Sequence, residues 1–142
     1  MDMKGHTGGN FSLGKGCICG KSTKKKLNTK SSTETEIVSV EDCISQVIWT
    51  DHFMEAQGCD SRGTVICQDN KSAMLLERKG KFSSSERTKH IEARCYFIAG
   101  KIQKGEVDVV HCPAEKMIAD FFTKPLQGQL FFKFRKEIVG EK

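Results

Sequence analysis

The sequence predicts an α/β fold, and three observations support that prediction. A long amphipathic period begins near residue 31, short apolar runs occupy 64–67 and 107–110, and helix-like segments alternate with these runs in the second half. Alternation of strands and helices is typical of α/β packing. The 142 residues and their 37% hydrophobic content suit one globular domain. We therefore predict a single domain over 1–142, with its α/β body over 31–125.

The N-terminal segment 1–30 is predicted to form a β-hairpin and a basic segment. Residues 11–13 and 17–19 are expected to be the two ends of one strand, with 26–29 as its partner. The formal net charge is +5, and a basic cluster in this segment suits a polyanion such as nucleic acid. An ordinary solvated loop is an equal alternative. The cluster comprises Lys15, Lys21, Lys24, Lys25, Lys26 and Lys30.

A long amphipathic helix is predicted to follow this segment. Ser32 or Thr33 can cap it, and Glu36 lies three residues after Thr33, as in a capping box. Apolar residues then recur at spacings of three, four and seven as far as Ala56, and Gly58 is a natural stop. The apolar residues of this stripe are Ile37, Val40, Ile44, Val47, Ile48 and Phe53.

The hydrophobic period and the chain breakers define the remaining elements. In order they are a buried strand over 64–67, a helix over 70–78, a loop over 79–88, a helix over 90–104, a strand over 107–110, a helix over 114–122, and an amphipathic helix over 126–139 within a C-terminal segment 126–142. In the helix over 70–78, Ala73, Leu75 and Leu76 are predicted to face inward. The last helix is predicted to place Phe131, Phe134 and Ile138 on one side.

Cysteine usage and hydropathy indicate the compartment. No stretch is long and apolar enough to cross a bilayer, and the N-terminus lacks the apolar core of a signal peptide. Seven cysteines, an odd number, then indicate free thiols in a reducing compartment rather than a disulfide framework. We therefore expect an intracellular protein, in the cytoplasm or the nucleus, that does not partner a membrane.

Three carboxylates are candidates for chemistry, although each also has a structural interpretation. Asp69 directly follows a predicted strand, where ligands gather in open α/β sheets, and Asn70 begins a helix. Asp69 could instead be the N-cap of that helix, and Glu36 could serve only as a capping or helix-dipole charge. Asp120 lies between apolar neighbours in a predicted helix, so it either faces solvent or has a function.

Four motifs in a fixed order favour a chemical role for these three carboxylates over the structural interpretation. They read K-L-N-T-K-S-S-T-E-T-E at 26–36, Q-D-N-K-S-A at 68–73, R-T-K-H-I at 87–91 and A-D-F-F-T-K-P-L at 119–126. Together they resemble the RNase H domain that ends the polyprotein of copia-type retrotransposons. The resemblance extends from about Asp2 to about Val139. It implies an RNase H-like fold, in which a mixed sheet is flanked by helices.

The resemblance also implies site residues and a reaction. Glu36, Asp69 and Asp120 match catalytic carboxylates that bind Mg²⁺ or Mn²⁺, and the family activity is hydrolysis of the RNA strand of RNA–DNA hybrids. Phosphodiester hydrolysis by paired cations uses two ions about 4 Å apart, one activating water and one stabilising the leaving oxygen. Oxygen ligands suit these hard ions. The residues expected to contact nucleic acid are Lys24, Lys25, Lys26, Asn70 and His90.

The partners implied by the resemblance are an RNA–DNA hybrid or another nucleic acid, and the reverse transcriptase part of a parent polyprotein. In the family, a first catalytic aspartate lies in the first and central strand, upstream of the segment that Asp2 begins. We therefore expect a truncated domain that is inactive alone, with that strand missing. Two alternatives stay open: a non-catalytic nucleic-acid-binding or interaction module, and a nuclease that is active when an upstream segment supplies the strand and the aspartate.

Other motifs give weaker predictions. Residues 16–22 resemble a phosphate-binding loop, but the spacing of the glycines is one residue short. Zinc could be held by Cys17 and Cys19, or by a separate set of ligands that contains histidines. Neither set has the usual two-plus-two spacing of zinc ligands. The histidine-containing set is His90, Cys95, His111 and Cys112.

Overall fold

The fold was analysed in a computed structural model, which describes residues 6–24, 31–60, 63–80 and 89–141. Within these residues the chain is mixed α/β with small sheets and flanking helices, as predicted. Its contacts divide it into two units: unit 1 contains the described residues of 6–24 and 113–141, and unit 2 contains those of 31–112. No helix of the described chain combines the length and the apolarity of a membrane span.

Some predictions fall on residues outside this description. They concern Asp2, Lys25, Lys26, Lys30, the hairpin partner at 26–29, and most of the predicted loop, at 81–88.

Unit 1 begins with an antiparallel hairpin. Strand β1 (His6–Ser12) pairs with β2 (Cys17–Lys24), with Gly8 opposite Ser22 and an irregularity between Phe11 and Ser12. A single strand through 11–19 was therefore the wrong prediction, because the chain reverses between β1 and β2. Gly14 lies in that reversal with φ of +125°, a conformation that favours glycine.

The C-terminal part of unit 1 is less regular than the sequence predicts. Two short 3₁₀ helices, Ala114–Lys116 and Ile118–Phe122, replace the continuous helix expected over 114–122. Met117 interrupts it with φ −80° and ψ 88°, while its side chain is buried. Helix α4 (Gly128–Val139) follows. It buries Phe134 and half-buries Phe131 and Ile138, which confirms the predicted apolar side.

Two glycines of the hairpin allow close packing against the second 3₁₀ helix. A Cβ atom on Gly8 would lie 2.8 Å from the carbonyl oxygen of Ala119, and one on Gly20 would lie 2.6 Å from ring atoms of Phe122. Real Cβ contacts are essentially never this short. The hairpin backbone therefore contacts the segment that carries Asp120, and side chains on these glycines would push that segment away.

Unit 2 is built around helix α1 (Ser32–Ala56). Its N-cap is Ser31, whose Oγ accepts a hydrogen bond from the Glu34 N–H at 3.2 Å. The predicted cap at Ser32 or Thr33 was wrong, and the capping box predicted for Glu36 is not formed, because Glu34 is the residue three positions after the cap. The helix ends at Ala56 as predicted, and its buried residues are Ile37, Val38, Val40, Ile44 and Ile48.

The sheet of unit 2 is a parallel pair. Strand β3 (Thr64–Gln68) pairs with β4 (Val107–His111), with Ile66 opposite Val109. Val65 is 56% exposed, so β3 is not the fully buried strand that the sequence predicts. The helices of unit 2 pack on this sheet, while Val65 and Cys67 of β3 stay exposed. The described residues place no strand along the second edge of β3.

Two further helices complete unit 2. Helix α2 (Lys71–Lys79) ends at Gly80, which has the left-handed conformation, and α3 (Lys89–Gln103) is followed by Gly105 with φ of +70°. Helix α3 buries Ile91, Cys95 and Ile98, and it half-buries Ile102. In α2 the prediction was partly wrong: Leu75 is 53% exposed, and Glu77 takes an inward position beside Ala73 and the half-buried Leu76.

We predict that Gly8→Ala destabilises the chain by about 1–3 kcal/mol, the usual cost of overpacking. The new methyl group would collide with the Ala119 carbonyl, which is backbone and cannot rotate away. Gly100→Ala is the matched control, because Gly100 lies inside α3 with nothing near its Cβ position. That control should be stabilising by about 0.5–1 kcal/mol, since glycine is unfavourable in a helix. Equal unfolding free energies for the two variants in urea would contradict the prediction.

Candidate functional site

Asp69 occupies the position that the sequence predicts, directly after the last residue of β3. It is half-buried. The N-cap of α2 is Asn70, whose Oδ1 accepts a hydrogen bond from the Ala73 N–H at 3.0 Å. Asp69 is therefore not the helix cap, and the structural interpretation of this carboxylate was wrong. Capping does not explain an aspartate at this strand end.

Asn70 also connects three elements of unit 2. Its backbone N–H donates to the Gln68 Oε1 at 3.2 Å, and its Nδ2 donates to the Thr33 Oγ1 of α1 at 3.4 Å. The start of α2 is thereby tied to the first turn of α1. Glu36 follows Thr33 by three residues, which places both side chains on the same face of α1. Asp69 and Glu36 consequently lie at the same end of unit 2.

Glu77 of α2 is a carboxylate that the sequence analysis missed. Its side chain is 0% exposed, and neither carboxyl oxygen has a hydrogen-bond partner among the described residues. Burial raises the pKa of Glu77 from 4.5 to about 7. The Gln68 side-chain amide, which approaches without forming a well-aligned hydrogen bond, offsets part of this rise in pKa, and the Glu36 carboxylate adds to it.

A sequence signal for Glu77 was present. Ala73, Glu77 and Gly80 recur at helical spacings of four and three, and all three are buried. That stripe predicts that Glu77 faces inward, provided that a buried stripe is allowed to contain one charged residue.

The thiols give no sign of a metal or nucleophilic site. None of the seven cysteines forms a disulfide, and burial raises the pKa of Cys95 to about 11, with further rises from Glu77 and Glu92. A thiol with that pKa stays protonated at neutral pH and is a poor nucleophile and metal ligand. No three histidine, cysteine or acidic side chains among the described residues are grouped to hold a metal. The zinc set of His90, Cys95, His111 and Cys112 is therefore not assembled.

Asp120 lies in unit 1, on the second 3₁₀ helix. Its Oδ2 forms an ion pair with the Lys124 Nζ at 2.9 Å, and its side chain is 15% exposed. Its backbone carbonyl accepts from the N–H groups of Thr123 and Lys124. The A-D-F-F-T-K-P-L motif thus folds as a compact turn in which its aspartate is charge-paired, and the catalytic role of Asp120 stays a prediction.

The residues predicted to contact nucleic acid are dispersed. Lys24 ends β2 and is exposed, whereas His90 is exposed in the first turn of α3 in unit 2. Asn70 uses both its side-chain oxygen and its side-chain nitrogen in structural hydrogen bonds. The segment 16–22 that resembles a phosphate-binding loop lies mainly in β2, so the loop and helix that such a site needs are not formed there.

Comparison with known proteins identifies the class of sequence. The chain is 35% identical over 127 residues, 89% of its length, to the retrovirus-related Pol polyprotein from transposon RE2 of Arabidopsis thaliana. The corresponding polyprotein from transposon RE1 of the same plant matches at 35% over 127 residues. The polyprotein from transposon TNT 1-94 of Nicotiana tabacum matches at 28% over 139 residues, 98% of this chain.

These relatives are far longer than the chain, which spans 9%, 8% and 10% of their respective lengths. No family model matches the chain. No solved structure matches it either. The similarity supports a retrotransposon origin for this sequence, and its homologues are Pol polyproteins. The part of the predicted resemblance that concerns a transposon polyprotein is therefore confirmed.

The buried Glu77 gives a prediction for the pH dependence of stability. Its folded pKa of about 7 exceeds its ordinary value of 4.5, so the folded protein binds this proton more tightly than the unfolded chain. The resulting stabilisation is complete below about pH 4.5 and is lost as the pH rises towards 7. On the order of 3 kcal/mol of unfolding free energy should disappear between pH 5 and pH 8 in a buffer that contains chelator.

Glu77→Gln should remove that part of the pH dependence, because the amide does not titrate. Glu55→Gln, at an exposed position of α1, should keep it. Urea unfolding at both pH values measures the difference between the variants. The same slope of stability against pH in Glu77→Gln and in the unmutated chain would contradict the assignment.

Proposed function

We propose that this chain is an RNase H-like segment of a retrotransposon polyprotein, and that the family reaction is metal-dependent hydrolysis of the RNA strand of an RNA–DNA hybrid. The observation that carries this proposal is Asp69. Asp69 follows strand β3 of the parallel pair, and Asn70 rather than Asp69 caps α2. Asp69 also lies at the same end of unit 2 as Glu36. The similarity to transposon Pol polyproteins supports the part of the proposal that concerns a retrotransposon polyprotein.

The donor set of unit 2 fits Mg²⁺ or Mn²⁺. Both candidates, Glu36 and Asp69, are carboxylates, which are the oxygen ligands that these hard cations prefer. A bound divalent ion would activate water and stabilise the leaving oxygen during phosphodiester hydrolysis. Mg²⁺ commonly keeps several waters and uses one or two protein carboxylates together with substrate phosphates. Two half-buried carboxylates are therefore a sufficient protein contribution.

The surrounding residues orient these carboxylates. The bond from the Asn70 Nδ2 to Thr33 ties the β3–α2 junction to α1, so that the backbone at Asp69 is held relative to Glu36. Gln68 is 2% exposed, and its Oε1 accepts from the Asn70 N–H, which supports the same junction from inside. Support of this kind restricts the positions of metal-binding side chains before any ligand arrives. Asp120 keeps its predicted role on the basis of its motif.

We propose that the chain alone has little or no hydrolytic activity. A second candidate, an active nuclease completed by a further strand and aspartate, is favoured by the open edge of β3. The described residues leave that edge unpaired, and Val65 beside it is 56% exposed. An edge strand presents unpaired backbone N–H and C=O groups, so an added strand would suit this edge. A third candidate is a nucleic-acid-binding module that uses the lysines of the hairpin, such as Lys15 and Lys24, without chemistry.

We predict that Mg²⁺ at millimolar concentration shifts the amide resonances of Asp69 and Glu36 more than those of other residues in unit 2. Asp69→Asn should weaken these shifts at Glu36, because the cation loses a charged ligand. Glu55→Gln removes an equal charge from an exposed site on α1 and should leave the shifts unchanged. NMR titration of the three proteins measures the effect. Absence of shifts at Asp69 and Glu36 at saturating metal would sink the proposed metal site.

A cleavage assay on a labelled RNA–DNA hybrid separates the three candidates when it is run on this chain and on a chain extended upstream by a further strand that carries an aspartate. Metal-dependent cleavage by the extended chain only would support the completed nuclease, whereas cleavage by this chain alone would overturn our proposal of inactivity. Hybrid binding that falls with salt and is unaffected by Asp69→Asn would favour the binding module, because phosphate contacts release counterions and do not involve this carboxylate.

A further inference from the structure

Charge is divided unequally between the two units. Among the described residues, unit 1 carries eight lysine and arginine residues against four acidic ones, which gives a formal charge of +4. The described residues of unit 2 include seven lysine and arginine residues against twelve acidic ones, which gives −5. A polyanion is attracted to the positive unit and repelled by the negative one. A surface that attracts nucleic acid is therefore expected on unit 1.

The exposed side of α4 in unit 1 combines cations with an aromatic ring. Phe132, Lys136 and Val139 follow one another at helical spacings of four and three, and all three are exposed. Arg135, three residues after Phe132, is exposed beside them. Neither Arg135 nor Lys136 forms an ion pair with another described residue. We call Phe132, Arg135, Lys136 and Val139 the outer face of α4.

Glu137 is the acidic residue of α4, and it does not belong to this outer face. It follows Phe132 by five positions, so it lies on another side of the helix. There it lines a cavity together with Gly140 and with Lys15, which lies between the two strands of the hairpin. The negative charge of Glu137 is therefore near Lys15 and away from the outer face, which keeps its positive charge.

Phe132 lies at the end of a row of phenylalanine rings. Its ring centre is 5.6 Å from that of Phe131 in an edge-to-face arrangement, and Phe131 stacks on Phe121 at 5.2 Å. Phe121 belongs to the 3₁₀ helix Ile118–Phe122. These contacts hold the Phe132 side chain while it stays 58% exposed. A side chain that is already held loses little rotational freedom when a ligand binds to it.

We propose that the outer face of α4 binds a single strand of nucleic acid, with Phe132 stacked on a base and with Arg135 and Lys136 in contact with phosphates. Proteins commonly hold single strands with aromatic rings and nearby cations, because every base presents a flat π face. The bases of a duplex are stacked on one another, so an exposed ring suits an unpaired strand. The inference deepens the proposed function, on which it rests for the choice of a nucleic acid as the ligand.

Binding of a labelled oligothymidylate of about 16 nucleotides tests this inference. Fluorescence anisotropy measures its affinity for the full chain in a buffer that contains chelator. Phe132→Leu should raise the dissociation constant at least about five-fold, which is the lower end of the effect of losing one base stack. The dependence of affinity on salt should stay unchanged in this variant, because leucine removes the aromatic face and no charge.

Lys136→Gln should weaken binding in a different way. The slope of log affinity against log salt concentration should become shallower by about 0.7, which is the contribution of one phosphate contact on a single strand. Phe53→Leu and Lys104→Gln are the matched controls, because they make the same substitutions at exposed positions of unit 2. Both controls should bind as the unmutated chain does. Circular dichroism checks the fold of each protein.

Three results would overturn the inference. The first is the absence of oligonucleotide binding by the unmutated chain, and the second is unchanged affinity in Phe132→Leu. The third uses polyglutamate, which carries negative charge but no bases. If Phe132→Leu weakened binding to polyglutamate as much as binding to the oligonucleotide, a base stack would not explain the loss.

Asp69→Asn distinguishes this inference from the proposed metal site. Because chelator removes divalent ions, Asp69→Asn should bind the oligonucleotide as the unmutated chain does, and a loss of affinity in this variant would overturn the inference. A chain that shows no Mg²⁺ shifts but loses oligonucleotide affinity in Phe132→Leu would contradict the metal site and support the inference. The reverse pattern would overturn the inference and leave the metal site supported.

Discussion

The hydrogen bonds of Asn70 are the interaction on which the candidate site depends. This residue follows β3 by two positions, caps α2 through its side-chain oxygen, and reaches α1 through its side-chain nitrogen. Because the cap is supplied by Asn70, the carboxylate of Asp69 is not needed to satisfy the backbone of α2. Glu36 is brought to the same end through Thr33. One amide side chain thus helps to determine where two candidate ligands lie, and it relieves Asp69 of the capping role.

Unit 1 depends on a different constraint, which is the absence of side chains at Gly8 and Gly20 of the hairpin. The hairpin approaches the 3₁₀ helix of Asp120 so closely that Cβ atoms at Gly8 and Gly20 would overlap with it. Within this turn the charge of Asp120 is balanced by Lys124. The candidate carboxylates therefore differ in electrostatic state. Asp120 has a cationic partner in its own turn, whereas Glu77 is buried without one among the described residues.

Elements dominated by their own periodicity could be predicted from the sequence. The bounds of α1 and α3 follow from apolar residues at helical spacing, and the position of Asp69 follows from the short strand before it. Features that depend on tertiary contacts could not. The chain reverses at Gly14 because two strands pair, and the helix expected over 114–122 is interrupted where Met117 becomes buried.

Glu77 was missed for a related reason. A charged residue is normally assigned to the exposed side of a helix, and Leu75 was expected to face inward instead. The packing of α2 against α1 and α3 reverses that assignment, since the stripe through Ala73 and Gly80 includes Glu77. The N-cap of α1 could not be predicted from the sequence either. Ser31, Ser32 and Thr33 are all suitable caps, and only the folded geometry selects Ser31.

We propose that the end of unit 2 at Asp69 and Glu36 binds a divalent cation. Anomalous diffraction from crystals soaked in Mn²⁺ tests it most directly. We expect an anomalous peak within coordination distance of a carboxylate oxygen of Asp69 or Glu36, because these hard cations bind carboxylate oxygens. An Mn²⁺ peak found only elsewhere on the protein, or the absence of any peak at this end of unit 2, would contradict it.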